Sequence, residues 1–110
     1  MKELDELHNK IGQLLVDAGP QNAKKIIALA KLPLDDESCE YQYDYIDEAD
    51  SKDWFVPDKL ASHDLKLLLV KMRNFYIQNN MTNGKPAWTA CEITVDIPEE
   101  KISINLQYED

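Results

Sequence analysis

Residues 91–108 read Cys91-Glu92-Ile93-Thr94-Val95-Asp96-Ile97-Pro98-Glu99-Glu100-Lys101-Ile102-Ser103-Ile104-Asn105-Leu106-Gln107-Tyr108. Cys91, Ile93, Val95 and Ile97 alternate with Glu92, Thr94 and Asp96. Beyond Pro98-Glu99-Glu100-Lys101 the alternation resumes, with Ile102, Ile104, Leu106 and Tyr108 set against Ser103, Asn105 and Gln107. A strand sends successive side chains to opposite faces, so each half of this stretch has one apolar and one polar face. The reading is a hairpin of residues 88–97 and 102–108, within an antiparallel sheet that buries one face and wets the other.

The same period runs through residues 39–46. Cys39, Tyr41, Tyr43 and Tyr45 share one face, while Glu40, Gln42 and Asp44 share the other. Aromatics at period two fit a pleated, half-buried surface. Residues 24–32 are ambiguous: Ala and Lys suit a helix, but the run is short and ends at Pro33, and its nearly continuous apolar character reads as a strand covered on both faces. Asp35-Asp36-Glu37-Ser38 then reads as a tight turn joining two antiparallel strands. Residues 47–53 are polar and acidic, hence a loop, and Trp54-Phe55-Val56 is a short third strand halted by Pro57.

Two segments carry a helical period instead. Over residues 4–18, Leu4, Leu7, Ile11, Leu14, Leu15 and Ala18 form one stripe, ended by Gly19-Pro20. Over residues 62–79, Leu65, Leu68, Leu69, Met72, Phe75 and Tyr76 form a second. Ser62 is the candidate N-cap there, Asp64 favours the first turn, and Asn83-Gly84 is a turn beyond the helix. The expected fold is α+β: one domain over residues 1–110, in the order α-β-β-β-α-β-β. A single antiparallel sheet of about five strands carries two helices on one face.

Charge narrows the function. The formal net charge is −9 across 110 residues, and it is local. Between Asp35 and Asp58 ten acids face only Lys52, and the rest of the chain is balanced. Such a block repels phosphate, and the chain has one arginine, Arg73, so neither direct nucleic-acid binding nor an anionic membrane is expected. A basic protein partner is favoured, because complementary charge steers association. The plainer reading is a solvated acidic face that aids solubility.

The start, Met-Lys-Glu-Leu-Asp-Glu, lacks the basic opening and apolar run of a secretory signal, and no apolar stretch approaches a membrane span. A cytoplasmic protein is expected, and there Cys39 and Cys91 read as small apolar strand residues rather than as a disulfide.

Catalytic and cofactor motifs are missing. Gly12, Gly19 and Gly84 stand singly, so no glycine-rich phosphate cradle exists. His8 and His63 have no second ligand at metal spacing, and Asp47-Glu48-Ala49-Asp50 lacks the glycine and terminal glutamate of a calcium loop. No serine lies in a nucleophile elbow. No cofactor and no metal is expected, and the chain reads as a binding protein rather than an enzyme. A small hydrolase using the abundant carboxylates is one alternative, and a self-associating adaptor is another. The chosen contact set is Asp44, Asp47, Glu48, Asp50, Asp53 and Trp54, since aromatic anchors with a charged rim are what protein interfaces use.

Several motifs resemble the YezG-like family of antitoxin and immunity proteins. They are Leu7-His8-Asn9-Lys10-Ile11, Tyr41-Gln42-Tyr43-Asp44-Tyr45, Trp54-Phe55-Val56-Pro57, Trp88-Thr89-Ala90-Cys91, and the closing Tyr108-Glu109-Asp110. The chain departs from that pattern at Gln21-Asn22-Ala23, where a tryptophan is expected. The resemblance implies an immunity protein that sequesters a secreted toxin, often a nuclease, as contact-dependent growth inhibition systems do. Binding would occlude the toxin without catalysis. The expected partner is therefore a basic toxin domain, with a monomer as the favoured state.

Overall fold

The computed structural model describes residues 2–32, 39–81 and 88–108. The elements run α1 (Lys2–Ala18), β1 (Ala23–Lys31), β2 (Glu40–Asp47), β3 (Lys52–Trp54), α2 (Lys59–Gln78), β4 (Ala90–Asp96) and β5 (Lys101–Gln107). The strands form one antiparallel sheet in the order β3-β2-β1-β4-β5. The two helices pack on each other and against one face of the sheet. This is the α+β architecture expected from the periodicities.

The apolar stripes meet where the patterns direct them. Ile11 and Leu15 of α1, Leu65, Leu69 and Met72 of α2, Ile26 of β1 and Ile93 of β4 are all fully buried. Trp88, just before β4, is also fully buried, with its ring edge-on to Tyr76 and the Arg73 guanidinium 6.0 Å from its centroid. Arg73 is itself buried, and its guanidinium donates to the Leu32 carbonyl. Gly12 lets α1 settle closely on β5, because a Cβ there would stand 3.3 Å from Ile102 Cδ1.

Three local expectations change. β1 is the central strand, but only one of its faces is covered: Ile26, Ala28 and Ala30 are buried, whereas Ile27 and Leu29 on the opposite face are half-buried. Both helices lie on one side, so flanking side chains of β2 and β4 supply what shelter Ile27 and Leu29 have.

The third strand is Lys52–Trp54, not 54–56. Asp47 sets that boundary: its Oδ1 accepts from the Ala49 and Ser51 N–H groups, each at 2.9 Å, and Asp50 turns back with φ 65°. This local side-chain turn brings the chain into register by Lys52.

Helix α2 begins at Lys59, with Asp58 as its N-cap accepting from the Leu60 N–H at 2.8 Å. Ser62, the expected cap, lies inside the helix, and its hydroxyl bonds the Tyr43 hydroxyl at 2.9 Å. Asp58 follows Pro57, where the chain is still extended, so its carboxylate reaches the orphan donors first. The turns expected at Asp35–Ser38 and Asn83-Gly84 lie outside the described residues.

Candidate functional site

The β2–β3 hairpin forms one edge of the sheet. Asp44, Asp47, Glu48, Asp50, Asp53 and Trp54 all lie on it, so the fold keeps the six expected contact residues in one element. Their environments differ sharply.

Asp44 pairs across the sheet with Trp54 and is only 8 % exposed. Its Oδ2 accepts from Gln42 Nε2 at 3.2 Å and lies 4.0 Å from Lys52 Nζ. That carboxylate is engaged within the hairpin. Asp47 is committed to the turn through Oδ1, and Asp53 Oδ1 accepts from the Trp54 N–H at 2.8 Å. Glu48, Asp50 and Asp53 are exposed, and Asp50 is paired with Lys24 of β1.

Trp54 is 68 % exposed. It lies on the sheet face away from the helices, because its cross-strand partner Asp44 sits between the inward Tyr43 and Tyr45. The tyrosines go the other way. Tyr43 is buried, with Tyr41 stacked 6.1 Å away and Phe55 at 5.6 Å, and Tyr45 meets Phe55 edge-on at 6.0 Å. These are core contacts, so Trp54 is the aromatic of this cluster that faces solvent.

The expected contact set did not include Val56, yet it stands exposed and lines the same groove as Trp54. The segment after Trp54 leaves the sheet once the Phe55 N–H has bonded the Tyr43 carbonyl at 3.1 Å, and this departure opens a groove. The groove has a volume of about 580 Å³ and is lined by Tyr41, Asp44, Trp54, Val56, Pro57 and Lys59, among others. Nothing in the chain's period marks that departure.

Burial raises the Tyr43 pKa, partly offset by the Ser62 hydrogen bond, and raises Tyr41 chiefly by burial, then through the neighbouring Cys39 and Tyr43. The buried Cys91 thiol is pushed up to about 12 by desolvation. Cys39 and Cys91 form no disulfide. Desolvation therefore holds the Cys91 thiol away from thiolate chemistry. Asp44 is the one carboxylate among the residues lining the groove, so a pair of carboxyl groups is not assembled there. Among the described residues no cluster of three or more His, Cys, Asp or Glu could hold a metal ion, and no helix is long and apolar enough to cross a membrane.

Comparison with known protein families gives no matching family model, and comparison with curated proteins gives no matching sequence.

Proposed function

We propose that this chain is an immunity protein that binds and neutralises a cognate toxin domain, a nuclease with a cationic substrate groove, by occluding it. The carrying observation is Trp54: a large aromatic held 68 % exposed on a strand, in the same hairpin as the exposed acids Glu48, Asp50 and Asp53. Folding alone gives no reason to hold an indole in water, whereas tryptophan anchors are what protein interfaces bury. Val56 extends the apolar contact, and the acids supply charge that meets lysines and arginines arranged for phosphate. The motif resemblance supports the same role.

Within this reading the residues divide by task. Trp54 and Val56 desolvate on binding and set the off-rate. Glu48, Asp50 and Asp53 steer approach and set the on-rate. Asp44 and Asp47 hold the hairpin in shape.

The test is co-expression with the product of the adjacent gene, followed by affinity capture and a toxicity assay. A tight complex that abolishes the neighbour's toxicity is expected. Trp54→Ala should weaken capture by about 2 kcal/mol or more. A complex that forms equally well with Trp54→Ala and with Glu48→Lys/Asp50→Lys/Asp53→Lys would place the toxin elsewhere on the chain. Failure to form any complex would overturn the immunity role.

A further inference from the structure

The opposite edge of the sheet is β5. Strand β5 pairs with β4 along its whole length, from Ala90↔Gln107 to Asp96↔Lys101, without a register shift. No described strand lies on its other side. The β1–β4 register fixes which groups point outward. The Ile97 N–H bonds the Lys24 carbonyl at 2.9 Å, so Cys91, Ile93 and Val95 turn their backbone groups to β1. Glu92, Thr94 and Asp96 turn theirs to Asn105, Ser103 and Lys101 of β5. The N–H and C=O groups of Ile102, Ile104 and Leu106 are left facing out of the sheet.

Proteins blunt such edges with proline, bulges or charged side chains. β5 contains no proline, no bulge, and one charge, Lys101 at its first residue. Its open-face residues are the neutral, exposed Ser103, Asn105 and Gln107. On the helix face Ile102, Ile104 and Leu106 continue the core row of Cys91, Ile93 and Val95. They remain half-buried while that row is buried, because the sheet ends there.

We propose that β5 pairs antiparallel with β5 of a second copy of this chain, about a two-fold axis at Ile104, to give a continuous ten-stranded sheet. Around that axis Ile104 faces its own copy and Ile102 faces Leu106 of the second copy. Every outward N–H and C=O group of these residues then finds a partner, and the half-exposed apolar row is covered by its own repeat. The seam is self-complementary, as a two-fold interface requires.

Charge selects this edge and this occupant. The stretch that holds the net charge of −9 contributes β2 and β3, at the far side of the sheet. Four strand spacings separate β3 from β5, about 19 Å. Pairing through β3 would press two acidic hairpins together, whereas pairing through β5 sends them to opposite ends of the dimer. Each Trp54 surface stays free. Seven residues of strand pairing make a small interface, so the dimer is expected to be weak and to depend on concentration.

Sedimentation equilibrium tests this with the intact chain. The mass should rise from the 12.7 kDa monomer toward twice that value with concentration. Ser103→Glu/Asn105→Glu should abolish the rise, because each introduced carboxylate meets another directly across the seam. Ser103→Lys/Asn105→Lys should abolish it likewise, and an equimolar mixture of the two variants should restore it. Both positions are exposed, so the variants are expected to fold, which circular dichroism checks. A wild-type chain that stays monomeric up to about 1 mM overturns the proposal. So does a glutamate variant that dimerises like wild type, or a mixture that fails to associate.

Discussion

Lys24 of β1 and Asp50 in the β2–β3 turn form an ion pair across twenty-six residues of sequence. Asp50 keeps 75 % of its side-chain surface exposed, so water screens the pair. Its consequence lies in the field of the hairpin rather than in stability. Lys24→Gln should change the unfolding free energy by less than about 1 kcal/mol. The variant should also associate faster with a cationic partner at low salt, an advantage that vanishes at about 0.5 M salt. Urea denaturation and stopped-flow mixing with the captured toxin read the two effects.

The turn itself rests on Asp47. Asp47→Ala removes the acceptor of two backbone N–H groups and should cost about 1 kcal/mol in urea unfolding. Glu48→Ala, one residue later and exposed, should stay within about 0.5 kcal/mol of wild type. Equal losses at both positions would contradict the division between acids that shape the hairpin and acids that face a partner.

Tyr43 and Ser62 join the sheet to α2 through paired hydroxyls at 2.9 Å. Tyr43→Phe and Ser62→Ala should each destabilise by about 1 kcal/mol. The double variant should cost less than the sum, with a coupling of about 0.5 kcal/mol or more. Strict additivity in thermal or urea melts would mean that the hydroxyls do not act on each other.

Alkaline pH should weaken the fold. Cys91 is held up to about 12 against an ordinary 9.0, and Tyr41, Tyr43 and Tyr76 are raised from 10.0, each mainly by burial. The unfolded chain therefore releases these protons first. Stability from Cys91 is complete below pH 9 and is lost as pH climbs toward 12; the tyrosines act in the same sense above pH 10. Urea midpoints taken from pH 8 to pH 11 should hold to about pH 9 and fall above it. A thiol reagent at pH 8 should modify the half-buried Cys39 before the buried Cys91.

The two tryptophans report on different regions. Trp54 is 68 % exposed and Trp88 fully buried, so an aqueous quencher should reach the first and spare the second. Trp54→Phe should remove most of the quenchable emission with little change in stability. Trp88→Ala should cost about 3–5 kcal/mol, a large share of a small domain's total.

The sequence by itself determined the element order, the identity of the core rows and the location of the charge. Period two in Cys91–Ile97 and Ile102–Tyr108, and the helical spacing in Leu4–Ala18, are local consequences of backbone geometry. They therefore survive without knowledge of any neighbour. The tyrosine row was legible for the same reason, and it packs inward as one face. Boundaries were not, since Ser62 and Asp58 are both competent caps and only the path of the chain out of β3 selects between them.

Only the tertiary structure decided which acids remain available. Asp44 and Asp53 are chemically alike in the sequence. Pairing buries Asp44 against Gln42 and Lys52 and leaves Asp53 in water. Lys24 and Lys31, outside the acidic stretch in sequence, lie beside Asp50 and Glu40 once β1 pairs with β2, so the local field is weaker than residue counting implies. The strand order is equally non-local: it puts β3 at one edge and β5 at the other, and thereby separates the charged edge from the neutral one. Period records which way a side chain points, whereas burial, pairing and edge position depend on what arrives beside it.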